Sequence, residues 1–115
     1  PAQAAWAALH AAWACDDEGA DVPARVCRRR AADLLRRAWD QDERLAPRAW
    51  ADEALLVDML RRAGRFREAR AVATEVLERN PEALIAGIMR FQVRLIIAAD
   101  RRAHTVAEVR RSVPL

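Results

Sequence analysis

The sequence predicts an all-α fold, a stack of three antiparallel helical hairpins, and three observations predict it. Alanine, leucine and arginine dominate the 115 residues, and all three favour helix. Apolar residues recur at helical spacing, while the β-branched clusters expected of strands are missing. Prolines and glycines punctuate the chain, and the short polar connections between breaks place successive helices antiparallel.

Six helices follow, over residues 2–16, 22–39, 47–63, 66–79, 81–99 and 103–112. In the first, Trp6, Leu9, His10 and Trp13 fall on one face. Gly19 ends it, and Asp21 is placed to cap the second near Pro23. The second carries Cys27, Ala31, Leu34, Leu35 and Ala38 on one face and Arg25, Arg28, Arg29 and Arg36 on the other. Pro47 suits the first turn of the third, whose apolar face is Trp50, Ala54, Leu56, Val57 and Leu60. Gly64 stops it. Asn80-Pro81-Glu82 reads as the start of the fifth: a capping Asn, a Pro with fixed φ, then an acid at the positive helix end. The fifth, through Leu84, Ile88, Phe91, Leu95 and Ile96, is apolar over much of its circumference. Such a helix is sandwiched between others or meets a partner.

Residues 1–115 make one domain, with no Ser- or Gly-rich linker. Because residue 1 is proline, the chain reads as Met-processed or as a fragment of a longer protein. No apolar run approaches the roughly 18 residues of a membrane span, and no secretory signal is recognisable. All 20 basic residues are arginine, interspersed with 17 carboxylates for a net charge of +3. With so much alanine, this points to codon bias more than to a nucleic-acid surface. Two cysteines without a CxxC pair suit a reducing cytoplasm.

Residues 50–83, WADEALLVDMLRRAGRFREARAVATEVLERNPEA, span 34 positions and resemble one tetratricopeptide (TPR) unit. The likeness rests on Leu56, the turn Gly64-Arg65-Phe66, Glu68-Ala69, Ala73 and Pro81. Gly64 permits the turn, Phe66 plugs the hairpin and Ala69 lets the helices approach. Trp6-x-x-Leu9-His10-x-x-Trp13 is similar to the start of such a unit, with His for Gly and Trp for Tyr. The leading position recurs at Glu53, 47 residues after Trp6, so the first unit carries extra residues, and the third unit lacks the signature. The resemblance implies a right-handed α-α superhelix acting as a protein-interaction scaffold. A looser likeness to the helical half of bacterial proteins with a Cys-rich metal-binding half implies a support module of a larger bacterial protein. These residues hold no Cys-rich segment.

No cofactor or metal is expected. Cys15, Cys27, His10 and His104, with Asp16, Asp17 and Glu18, lack the paired spacing of a zinc site. Asp16-Asp17-Glu18 reads as a solvated acidic turn, and His10 as a hydrogen-bonded packing residue. Catalysis is not expected: Cys15 with either histidine has no local signature, the one serine is Ser112, and three isolated glycines make no phosphate loop. Arg25, Arg28, Arg29 and Arg36 share a face that could meet phosphates, but Asp40, Asp42 and Glu43 follow and can pair with them. Residues 105–111 have the look of a short recognition helix. Nucleic acid is not the expected partner.

The expected function is binding of a protein or peptide partner, whose identity stays open, in a groove lined by the first helix of each pair. Asp58, Arg61 and Arg62 on the third helix and Arg90, Gln92 and Arg94 on the fifth are the candidate contacts. Arginine forks suit carboxylate-bearing peptides. Asp58 stands where chaperone-clamping TPR domains carry Asn, so chaperone tails are not expected. The alternative is a dimerisation or support module, a homodimer covering the apolar fifth helix.

Overall fold

The computed structural model describes residues 2–112, and every regular element among them is a helix. In order these are α1 (Ala2–Asp17), α2 (Asp21–Asp40), α3 (Ala51–Arg62), α4 (Phe66–Glu78), α5 (Ala83–Ile97) and α6 (Val106–Ser112). The expected ends of α1, α2 and α4 agree to within one residue, whereas α3 and α6 start later than expected.

Local chemistry explains both late starts. Asp52, wholly buried in the first turn of α3, gathers the preceding loop. Its Oδ2 accepts from Leu45 N–H at 2.8 Å and Trp39 Nε1 at 3.0 Å, and its Oδ1 from Ala46 N–H at 2.8 Å. Trp50, in left-handed backbone at φ 68°, then swings the chain into the helix, leaving Pro47 in the loop. At α6 the start is a reciprocal cap. Thr105 Oγ1 accepts from Glu108 N–H and Glu108 Oε1 accepts from Thr105 N–H, both at 3.2 Å.

Asn80 plays a different part from the one expected. With φ 50° it closes α4 as a left-handed terminator instead of capping α5, which begins after an extended Glu82 (φ −55°, ψ 159°). Asp21 opens α2 without a side-chain capping bond. Gly19 (φ 71°) and Gly64 (φ 85°) end α1 and α3 in the left-handed region. Beyond them Ala20 N–H returns to Cys15 O and Arg65 N–H to Leu60 O, each at 2.8 Å.

The Gly19 and Gly64 turns fold α1 on α2 and α3 on α4. Helix α3 is the hub, packing on α2, α4 and α5; α4 also packs on α5, and α6 on α5. Helix α1 packs on α2, and its last turn also reaches α3 through the Asp16–Arg62 ion pair. Leu35, Leu56, Val57, Leu60, Met59 and Met89 fill the centre, each leucine contributing about 1.5–3 kcal/mol by leaving water. Alanine sets the close approaches: Ala5 and Ala12 on α1, Ala31, Ala32 and Ala38 on α2, and Ala69 and Ala73 on α4 have no exposed surface.

Two expected faces are rotated. On α1 the buried stripe is Ala5, Ala8, Leu9 and Ala12, while Trp6, His10 and Trp13 form a ring stack on the flank. His10 lies 5.5 Å from Trp6 and 5.1 Å from Trp13, and Trp13 is 43% exposed. Alanines can follow one another closely at the α2 contact, so the bulkier His10 and Trp13 are turned outward while Trp6 stays half-buried against the core. On α2, Arg28 is buried on the core side, apart from the exposed Arg29 and Arg36. Among the described residues no helix is long and apolar enough to cross a membrane.

Candidate functional site: an arginine-lined cleft beside a buried arginine

Three of the six candidate contacts, Asp58, Arg61 and Gln92, meet at the C-terminal half of α3. Arg61 has no exposed surface, and its donors are used inside the chain. Its Nε donates to Gln92 Oε1 at 2.6 Å and its Nη2 to Asp58 Oδ1 at 3.0 Å. Its Nη1 donates to the carbonyls of Asp100 and Arg102 at 2.7 and 2.9 Å. Gln92 Nε2 completes the knot on Asp58 Oδ1 at 3.1 Å. A buried guanidinium is tolerated only when its N–H groups are met, and here they tie α3 to α5 and to the α5–α6 loop. Arg90 and Arg94 are exposed on α5, with the Arg94 guanidinium 5.5 Å from the Phe91 ring centre.

Arg62, the next residue, turns the other way, toward α1 and α2. Asp16, in the last turn of α1, receives both terminal nitrogens of Arg28: Nη1 reaches Oδ1 at 3.0 Å and Nη2 bonds Oδ2. Arg62 Nη2 donates to the same Oδ2 at 3.2 Å. Asp16 is therefore half-buried and ion-paired, a correction to the solvated acidic turn; Asp17 and Glu18 are exposed. The Arg28 hydrogen bond, opposed by partial burial and aided by the charge of Arg62, holds the Asp16 carboxyl below its ordinary range. Burial first, and the facing Arg28 second, lower Arg62 from its ordinary value. Two guanidiniums thus share one carboxylate, and the Nε of each is buried without an acceptor.

These residues form one side of a cleft of about 760 Å³ between α2, the end of α3 and the α5–α6 loop. Arg25, Arg101 and Arg102 extend its lining, with Asp21 and Asp100 as further acids. Five arginines face three aspartates. Arg102 pairs with Asp100 at 3.2 Å, whereas Arg25 and Arg101 make no ion pair among the described residues. The stem of Arg101 lies over Gly64, where an added Cβ would meet Arg101 Cδ at 3.7 Å.

The loop carrying Arg101 and Arg102 is held from its far end too. The His104 ring sits between Asp100 Oδ2, 2.9 Å from Nε2, and Glu108 Oε2, 2.6 Å from Nδ1, with Phe91 edge-on at 5.6 Å. Arg102, through side chain and backbone, and then His104 hold Asp100 far below the usual carboxylate range. His104 first, with Thr105 N–H, lowers Glu108.

Other sequence candidates are dispersed. Among the described residues no three His, Cys, Asp or Glu side chains converge as a metal site. Cys15 and Cys27 are free thiols facing each other across the α1–α2 hairpin; partial burial and then Cys27 raise the Cys15 thiol. Asp40, Asp42 and Glu43 make no ion pair with the α2 arginines; Arg36 instead lies 3.9 Å from Glu68, and Arg65 reaches Asp33 at 3.0 Å.

Sequence reasoning missed Arg28, Asp16, Arg101 and Arg102 as a group. One signal was available. Arg28 stands four residues after Ala24 and three before Ala31, on the buried periodicity of α2, and a charge in an apolar register needs an internal partner. Comparison with protein families, curated proteins and solved structures gives no match to this chain.

Proposed function

We propose that the chain is a non-catalytic interaction module that binds a partner protein's acidic segment in the arginine-lined cleft. The observation carrying this reading is that Arg28 and Arg62 share the carboxylate of Asp16, with Asp58 4.0 Å from Arg62, while among the described residues Arg25 and Arg101 pair with no acid. Planar guanidinium forks favour carboxylates, and a concave site lined by excess positive charge attracts an oppositely charged segment. A TPR-like stack is the arrangement we favour. Its supports are the Gly64 turn, the buried Ala69 and Ala73, and the packing of α5 on both α3 and α4. Helix α1, whose backbone comes close to that of α2 alone, is where the likeness is weakest.

The test is fluorescence anisotropy with a fluorescein-labelled twelve-residue peptide of alternating Glu and Ser, at low and at physiological salt. Binding that vanishes in R101E/R102E and persists in R29E/R36E places the partner in the cleft. Equal loss in both variants would mean nonspecific attraction to a basic protein and would remove the proposal.

A second reading, a dimerisation or support module, is favoured by one observation. Helix α1 has no Asp, Glu, Lys or Arg before Asp16, has its backbone close to that of α2 alone and leaves Trp13 exposed. Light scattering that finds a dimer, converted to monomer by W13E, would favour it over the cleft.

A further inference from the structure

We infer that Asp16 is a built-in stand-in ligand: it occupies a carboxylate seat made by Arg28 and Arg62, and an acidic partner binds by displacing it. This deepens the cleft reading and rests on it.

Hydrogen-bond supply and demand come first. A guanidinium carries five N–H donors. Arg28 places two of them on Asp16, and Arg62 places one, with Asp58 only at 4.0 Å. Arg28 is 2% exposed, so its unmet Nε has no recourse to solvent. An uncompensated buried donor destabilises the empty state, and a second carboxylate, or one better placed, relieves it.

The position of Asp16 is the second strand. It sits in the last turn of α1, beside Asp17 and followed by Glu18, with no basic residue in that turn. A carboxylate there opposes the negative end of the helix dipole and two like charges. A partner's carboxylate arriving from the cleft reaches the same guanidiniums from the side that Arg25 and Arg101 line. Asp16 keeps 29% of its side chain exposed, so it has a path into water when released.

The third strand sets the ligand's chemistry. The resident group is itself a carboxylate, seated two-pronged on Arg28. Asp21 and Asp100 share the lining and repel a group carrying two charges on one centre, which weighs against phosphates. Arg25 and Arg101, both without ion pairs among the described residues, flank the seat and suit the further acids of a polypeptide segment. The seat therefore selects Glu or Asp side chains in a run.

Displacement has a numerical signature. If Asp16 fills the seat for nine-tenths of the time, the apparent Kd is raised about tenfold over that of an open seat. The experiment repeats the anisotropy titration with wild type, D16N, D16A and R62Q, using the Glu-Ser peptide, its Lys-Ser counterpart and a twelve-nucleotide oligo-dT. We expect D16N and D16A to bind the acidic peptide roughly tenfold more tightly than wild type, R62Q to bind it more weakly, and the Lys-Ser peptide to bind none. Peptide binding to wild type with no gain in either Asp16 variant overturns the stand-in role and leaves the cleft reading in place. No acidic-peptide binding by any of the proteins overturns both, and tighter binding of oligo-dT replaces them with a nucleic-acid site. Should the Asp16 variants not fold, carbon-detected NMR of wild type decides: saturating peptide must shift the Asp16 carboxyl signal toward that of free aspartate, and an unmoved signal refutes displacement.

Discussion

Replacing Arg61 with Met removes the charge from the α3 knot while keeping an apolar stem of similar reach. The loss follows from what the guanidinium now holds. Gln92 Oε1, in a side chain with little exposure, loses its donor at 2.6 Å, and an orphaned buried acceptor costs about 1–3 kcal/mol. The carbonyls of Asp100 and Arg102 lose bonds of 2.7 and 2.9 Å, but they belong to a surface loop that water can reach. That adds roughly 1 kcal/mol between them. Asp58 is about one-third exposed and recovers much of its lost bond from solvent. The sum is about 2–4 kcal/mol, overlapping the range for breaking a buried ionic cluster from one side. It is a large share of the 5–15 kcal/mol available to a domain. Urea denaturation at pH 7, followed by far-UV circular dichroism, measures it, and the double variant R61M/Q92L apportions it. R61M/Q92L should regain about 1–2 kcal/mol over R61M, since no buried acceptor then stands alone. A loss below about 1 kcal/mol in R61M would show that the knot is incidental to stability and that the loop is held elsewhere.

Three further outcomes follow from the geometry. Ala99 lies at φ 52°, where a Cβ costs roughly 1–2 kcal/mol; A99G should therefore stabilise by about 0.5–1 kcal/mol after its added chain entropy, and a lower urea midpoint would contradict this. T105A removes the α6 cap acceptor and should cost about 1 kcal/mol. The loss is read as faster amide exchange in α6 than in α5. Asp16, Asp100 and Glu108 all have carboxyls lowered by folding from ordinary values of 3.8, 3.8 and 4.5. The unfolded chain binds more protons below those values, so the stability they lend is present above about pH 4.5 and lost as pH falls further. Melting temperatures from pH 6 to 2 should drop most steeply at the acid end, and D16N should flatten that slope. A slope unchanged in D16N would mean that Asp16 titrates alike in folded and unfolded chains.

The helices were legible because their causes are local. Gly19 and Gly64 end helices through their own backbone freedom, and the apolar spacing of Leu56, Val57 and Leu60 marks a buried stripe whatever it packs against. Errors arose wherever a distant group intervened. Pro47 offered a helix start, but the Asp52 carboxylate gathered Leu45 and Ala46 over the helix end and delayed it. Asn80 has the side chain for a cap at either side of a break, and the chain path chose the α4 side. Thr105-x-x-Glu108, by contrast, is a local capping box, legible in the residue spacing, that sets the start of α6.

For the site, the amino-acid order determined which residue types were present and that Arg61, Arg62 and Asp58 lie within one turn of α3. Only the tertiary structure decided that Arg61 turns to Gln92 and the α5–α6 loop while Arg62 turns the other way, to Asp16 beside Arg28. Neighbours on a helix diverge by about 100°, so adjacent arginines meet different surroundings. Which of them is buried depends on partners 31 to 46 positions away in the chain, and those distances close only when the whole bundle has packed.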